Sequence, residues 1–375
     1  MSTTQSAKEN TSATSSSPAA PRTETVAIGT LTEPKAGFVR KLLRAQAFQI
    51  FLVLLVIVLI FGALAPTTFA QWSNFRLVLQ NASILAILAV GMTFVISTSG
   101  IDLSIGSVLV FSGVVSAMTM RAIGGDGWGV ATIGILVSIA SGILWGLFNG
   151  FLIAKGKIPP LIVTLGTLGI TLGLAQILTG GVDIREVPLV LTTSIGYGNV
   201  FGTIPMLSVI ALVVVVIGAI ALRYTRFGLY TLAVGSSEIA ARRVGVKVDA
   251  QLIRVYVVSG ALAGLAGILS LSQFSTTAIA GQSQTNLNVI AGVVIGGTSL
   301  FGGVGTILGS VVGLFIPAVL QNGFVITGVQ PFWQQVAVGA VLITAVYVDQ
   351  VRRSAALRSG SQGLWRKFLS GGRQG

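Results

Sequence analysis

Residues 255–274, VYVVSGALAGLAGILSLSQF, open a stretch in which no Asp, Glu, Lys or Arg occurs until Asp349, 94 consecutive residues in all. A helix needs about 20 apolar residues to cross the hydrocarbon layer, so two crossings would leave about fifty residues unexplained while four with their turns fill the window. Arg254 and the basic residues after Val351 stand at its two ends, and positive segments at both ends imply an even number of crossings. The stretch therefore predicts four helices, near 253–272, 283–300, 304–322 and 332–348. Gly281, Gly302-Gly303 and the run from Gly328 to Pro331 supply the breaks.

Working toward the N-terminus, uncharged windows at 77–101, 103–120, 127–154, 158–182 and 187–222 each predict one helix. The last of these is expected only from Ile204 onward, because Pro188, Thr192, Thr193, Asn199 and Gly202 are loop chemistry. A further span, Phe48 to Ala65, lies in the uncharged interval between Arg44 and Arg76. The expectation is an all-α integral membrane protein of about ten transmembrane helices. If both termini are cytoplasmic, only Arg76, Arg121 and Arg185 of the 23 Lys and Arg face outward, as the positive-inside rule demands.

Composition agrees. Charged residues are 9% of the chain against about 25% in ordinary soluble domains, 53% are apolar, and the mean hydropathy is +0.90. The absence of Cys and His removes disulfides, thiolate and imidazole nucleophiles and the usual transition-metal sites. No cofactor, metal or catalytic residue is expected. The net charge of +13 would suggest nucleic acid in a soluble protein, but here its placement follows membrane topology and no nucleic-acid partner is expected.

Residues 1–47 form the expected cytoplasmic tail, rich in Ser, Thr, Ala and Pro and too poor in apolar surface to fold. The basic cluster Lys35, Arg40, Lys41, Arg44 before an apolar run ending in Ala63-Leu64-Ala65 also has the form of a signal peptide, with a leader long for that purpose. Residues 48–350 make the polytopic domain, interrupted by a cytoplasmic loop at 223–254, and 351–375 a basic cytoplasmic tail.

That loop carries the most specific local pattern. Ser236 or Ser237 can cap a short helix, Glu238 suits its positive end, Arg242 and Arg243 its negative end, and Gly245 can stop it. A two-turn helix outside the bilayer is predicted. Small Ala240 and Ala241 would let another surface approach closely; the plainer reading is an ordinary positive-inside loop.

Glu238-x-Ala240-Ala241-x-x-x-Gly245 resembles the coupling motif of membrane subunits of bacterial ATP-binding-cassette importers. Ser99-Gly100-Ile101-Asp102-Leu103-Ser104-Ile105-Gly106, Pro159-Pro160-Leu161-Ile162-Val163-Thr164-Leu165-Gly166 and the run from Ile290 to Gly303 are similar to ribose/xylose-type monosaccharide permeases. The resemblance covers about residues 50–350. It implies a homodimeric permease in the lipid of the cytoplasmic membrane, moving a small sugar inward with separate ATPase subunits and an external substrate-binding protein. Arg226, Gly228, Glu238, Ala240, Ala241 and Gly245 would then contact the ATPase. Ser237, where Asn is frequent, and Asn286-Leu287-Asn288, where an acidic run is common, depart from the pattern.

Asp102 is the one carboxylate near the middle of the first six spans, costing about 2.5–3.5 kcal/mol at a helix centre. Either it is functional, or it caps the third span after a break at Gly100 with help from Ser104. Candidate path residues are Asn81, Asp102, Ser104, Asn149, Thr164, Gln176 and Asn288; Asn322, Gln334 and Gln335 are further uncharged polar residues within spans. Their groups could exchange hydrogen bonds with sugar hydroxyls or pair between helices at about 1 kcal/mol apiece. The Gly296 to Gly305 run is read either as helix packing or as an interruption on a transport path. The chain has no phosphate loop of the form Gly-x-x-x-x-Gly-Lys-Ser/Thr and so is not expected to bind ATP itself. An autonomous secondary carrier, and a permease for a branched-chain amino acid or a nucleoside, are the competing functions.

Overall fold

The computed structural model describes residues 46–279, 284–330, 332–344, 346–347 and 350–351. Apolar content makes the helices long, and glycine decides which of them touch. The helices are α1 (Gln46–Leu64), α2 (Trp72–Ser97), α3 (Ile105–Ile123), α4 (Trp128–Ala154), α5 (Pro160–Thr179), α6 (Met206–Tyr224), α7 (Arg226–Ser236), α8 (Glu238–Arg243), α9 (Val248–Phe274), α10 (Thr285–Ile295), α11 (Ile307–Ile326) and α12 (Phe332–Thr344). Seven of these, α2 to α6 with α9 and α11, are long and apolar enough to cross a membrane; α1, α10 and α12 are shorter apolar helices. Gln46 and Ala47, expected in the tail, begin α1. The rest of the N-terminal tail, the break at Gly281, Pro331 and nearly all of the C-terminal tail lie outside the described residues.

Helices α2, α3 and α9 form the buried centre, with Tyr256, Phe94, Met92, Leu88 and Ile268 fully enclosed. Helices α4, α5 and α6 flank them and leave Leu144, Phe151, Ile162, Leu165, Leu212 and Ile217 exposed. In water such a surface would drive aggregation; in lipid it is the solvent-facing side.

The α4–α9 contact is the most extensive between helices. Ser138, Gly142, Gly146 and Gly150 recur every four residues on α4, a single stripe facing Gly260 and Gly264 of α9. A Cβ at Gly142 would collide with the Gly260 carbonyl, and one at Gly260 with the Gly142 carbonyl. Ser138 Oγ uses the proximity to donate to Gly264 O at 2.7 Å. Small residues allow this approach where no hydrophobic effect drives helices together. Gly292 and Gly296 meet Leu314, Gly309 and Gly313 in the same way between α10 and α11, so at these positions the glycine-rich run serves packing.

Two helices start inside the bundle. Helix α3 begins only at Ile105, after the non-helical segment Thr98–Ser104, and α10 has 11 residues, about 16 Å, half a bilayer. Asn286 joins the two starts: its Nδ2 donates to Leu103 O at 2.6 Å and its Oδ1 accepts from Gly106 N at 2.7 Å. The segment between α5 and α6, expected as loop, holds a three-residue helical turn Leu189–Leu191, a π-turn Thr192–Gly196 and a two-residue antiparallel hairpin, β1 (Asn199–Val200) with β2 (Ile204–Pro205).

Candidate functional site: a cavity and a helical hinge at opposite ends

At the end of the bundle remote from α8, a cavity of about 330 Å³ lies between α2, α9, α10 and α11. Its polar lining is Asn81, Gln273, Gln284, Thr285, Asn288, Gln321 and Asn322, amides almost throughout and none of them charged. Apolar Leu77, Ile84, Leu85 and Val325 complete the wall. A second space of about 180 Å³ shares Gln284, Asn288 and Gln321 and adds Gln334 and Gln335. Asn74 and Asn322 exchange two amide hydrogen bonds, at 3.0 and 2.8 Å, and so brace the rim.

Of the candidate path residues, Asn81 and Asn288 reach this cavity. Asp102, Ser104, Asn149 and Thr164 form a separate buried network nearer α8. Asp102 Oδ1 accepts from Ser104 N at 3.0 Å and Ser104 Oγ at 2.6 Å, and Oδ2 accepts from Ser259 Oγ at 3.0 Å. Asn149 Nδ2 donates to Ser104 Oγ at 2.9 Å, and Thr167 Oγ1 donates to Asn149 Oδ1 at 2.6 Å. Thr164 Oγ1 donates to Ile101 O at 3.1 Å. The residue immediately before α3 is Ser104, not Asp102, so the carboxylate holds the turn preceding the helix instead of capping it. These side chains satisfy one another, which ties α3, α4, α5 and α9 together. Gln176 lies on the exposed face of α5 and joins neither group.

At the other end, α7 and α8 follow α6. Thr225 Oγ1 caps α7 by accepting from Gly228 N at 3.3 Å, and Ser237 Oγ caps α8 by accepting from Ala240 N at 3.2 Å. Gly245, at φ 87°, ends α8 with Val246 N donating to Ala241 O at 3.0 Å, a left-handed stop that glycine adopts without strain. Arg242 bridges Glu238 at 2.9 Å and Asp249 of α9, and Lys155 and Lys157 of the α4–α5 loop reach the same Asp249 at 3.3 and 3.1 Å. The hydrogen bond to Asp249, then that to Glu238, raises the Arg242 guanidinium further above its ordinary range, so it stays cationic.

Ala241 is 3% exposed and packs on Val234 and Val248 of its own chain. Its small size therefore fits α8 against α7 and α9. The surface left open on α8 and the residue after it comprises Glu238, Ile239 (67% exposed), Ala240, Arg242, Arg243 and Val244 (78% exposed). Gly228 is buried, and a Cβ there would strike the Leu222 carbonyl, which places it in the α6–α7 turn; Arg226 is exposed.

The helix starts meet the hinge at one point. The Ser99 hydroxyl lies 2.8 Å from Phe301 O and 3.1 Å from Gly235 O, and Gly303 N donates to Ser97 O at 3.0 Å. Ser99 has φ 64°, a left-handed conformation uncommon outside glycine and asparagine. The end of α2, the α10–α11 loop and the end of α7 thus converge one residue away from the start of α8. Neither Ser99 nor Gly235 stands out by composition; Gln273 and Gln321, which line the cavity, are equally indistinct among the other span amides.

A family model described as "Branched-chain amino acid transport system / permease component" matches residues 74–346. The ribose import permease protein of Bacillus subtilis strain 168 is 37% identical, covering 80% of this chain and 91% of its own. That of Escherichia coli strain K12 is 35% identical over 80% and 92%, and the fructose import permease protein of Rhizobium meliloti 33% over 81% and 86%. No solved structure matches. With seven helices among the described residues fit to span a bilayer and relatives that are import permeases, this is a multi-pass protein of the bacterial cytoplasmic membrane. The chain belongs to the permease-component family of bacterial ATP-binding-cassette importers, in the branch of the ribose-type sugar permeases.

Proposed function

We propose that this chain is the membrane-spanning, non-enzymatic subunit of an ATP-driven importer that carries a monosaccharide inward. The observation that carries the reading is the cavity lined by seven uncharged polar residues and no ion. Amides can donate to and accept from hydroxyls in any rotation, which suits a neutral polyol. An amino acid would place a carboxylate and an ammonium in a space without a counter-charge, so the branched-chain amino acid alternative is disfavoured.

In this reading the chain crosses the membrane ten times, both termini and α7–α8 are cytoplasmic, and the cavity opens outward to a substrate-binding protein. Two copies enclose one path. A separate ATPase docks on the exposed side of α8, with Glu238, Ala240 and the neighbouring Ile239 and Val244 as its contacts. Arg226 and Gly245 contribute at the margin, while Ala241 and Gly228 hold the hinge in shape. ATP binding shifts the ATPase; α8, bolted to α9 and the α4–α5 loop through Arg242 and Asp249, moves with it. Gly235 passes the movement to the ends of α2 and the α10–α11 loop, and the bundle exchanges outward for inward opening.

The test is uptake by proteoliposomes containing this chain, its co-purifying ATPase and binding protein, offered labelled ribose, fructose, isoleucine and adenosine. ATP-dependent accumulation of a sugar is expected. Accumulation of isoleucine or adenosine alone would replace the sugar reading, and uptake by this chain without an ATPase would replace the importer reading.

A further inference from the structure

Gln273 occupies the last turn of α9, where that helix borders the cavity. It is 9% exposed. Its Nε2 donates to Asn81 Oδ1 at 2.7 Å, which fixes the rotation of the amide plane. Its Oε1 is buried and has no hydrogen-bond partner among the described residues. Leaving a buried carbonyl unmade costs about 1–3 kcal/mol, so a fold that holds one does so at a net loss unless a donor arrives from elsewhere. Gln273 lines the cavity together with Asn81, Gln284, Asn288 and Gln321, so a donor bound there needs only a small turn of the side chain to meet this oxygen.

We infer that Gln273 Oε1 is a specificity-determining acceptor for one hydroxyl of the transported molecule. The inference rests on the sugar reading above. Its chemistry is directional: Asn81 takes one N–H of the amide, and the oxygen left without a partner among the described residues can accept only from a hydrogen-bond donor. A hydroxyl meets that demand without charge. A carboxylate presents a second acceptor and is repelled, and an ether or a deoxy carbon leaves the acceptor as unsatisfied as the empty site does. Sites built to pair a substrate hydroxyl reject analogues lacking it for this reason.

The experiment uses the assembled importer in proteoliposomes, wild type and Gln273→Met, with ribose or fructose, whichever the wild type accumulates, and the series of its monodeoxy analogues. Comparing the two proteins with the same binding protein cancels that protein's own preferences. Wild type should discriminate against one particular deoxy analogue by about tenfold, the worth of one well-made hydrogen bond. Gln273→Met should lower uptake of the parent sugar by a similar factor and bring that one analogue level with it, leaving discrimination at the other positions intact. Methionine removes an unsatisfied buried acceptor together with the bond to the exposed Asn81, effects of similar size and opposite sign, so the thermal stability of the purified variant should be unchanged, which a purely structural glutamine would not give. Gln273→Glu retains acceptor oxygens and should keep the position-specific discrimination, with lower total uptake.

An identical analogue profile in wild type and Gln273→Met overturns the inference and leaves the sugar reading standing, as does a variant that loses stability and uptake of all analogues alike. Failure of wild type to accumulate any sugar overturns both.

Discussion

Gly235→Ala probes the junction at its tightest point. A Cβ at this position would stand 2.7 Å from Gly303 N and closer still to the Ser97 carbonyl oxygen, backbone atoms of two different segments. Non-bonded atoms around carbon settle at about 3.5–4.0 Å, so α7 must retreat by about 1 Å or more from both. The retreat stretches the 3.1 Å contact from the Ser99 hydroxyl to Gly235 O beyond hydrogen-bonding range while sparing that to Phe301 O. Overpacking of this kind costs about 1–3 kcal/mol, a sum the chain can absorb without unfolding, since the one Ser99 hydroxyl proton keeps its shorter contact to Phe301 O. The open face of α8 is untouched. The variant should reach the membrane, retain the ATPase on purification and hydrolyse ATP, yet accumulate sugar in proteoliposomes at a tenth of the wild-type rate or less. Gly166→Ala is the control, since a Cβ on that helical glycine meets nothing, and alanine there should be neutral or stabilising by up to about 1 kcal/mol. Uptake by Gly235→Ala at the wild-type ratio of sugar to ATP would refute the view that this contact carries the movement of α8 into the bundle.

Gly260→Val should prevent assembly altogether, because the added carbons fall on the Gly142 carbonyl and the Gly146 backbone at the centre of the α4–α9 seam; loss of monodisperse protein in mild detergent checks this, and normal yield would show the seam to be looser than drawn. Asp102→Asn preserves an acceptor for Ser104 N and should cost about 1 kcal/mol, whereas Asp102→Ala strands the Ser104 and Ser259 donors and should cost about 2–4 kcal/mol; equal folded yields of the two variants would mean the network is not holding the start of α3. Phe201→Cys, at the 92% exposed hairpin tip, should react with an impermeant thiol reagent in intact cells, while Lys247→Cys should react only after permeabilisation; the reverse pattern would invert the topology. Ala241→Asp should place an unpaired carboxylate against Val234 and Val248, so that α8 detaches and limited proteolysis cuts near Gly245; protection equal to wild type would move Ala241 from its own core to a partner's surface.

What the amino-acid order determined by itself is whatever depends on neighbours in the chain. The 94 uncharged residues after Arg254 demanded a membrane and located the apolar helices to within a few residues, because transfer into lipid is a property of a run of side chains and not of their partners. The Ser237 cap and the Gly245 stop of α8 were legible for the same reason: a cap reaches three residues and a left-handed stop is a single φ. Only the tertiary structure decided which polar groups meet. Asn81, Asn149 and Gln176 are all uncharged amides on apolar helices, yet they come to rest in a cavity, in a closed network and on an exposed face, since the direction a side chain takes depends on what packs beside its helix. Ala241 was read as room for a partner and is room for Val234 and Val248. The starts of α3 and α10 inside the bundle came from contacts as well: Asn286 holds two helix starts 180 residues apart, and no local preference encodes a bond between segments that approach only after the bundle has closed.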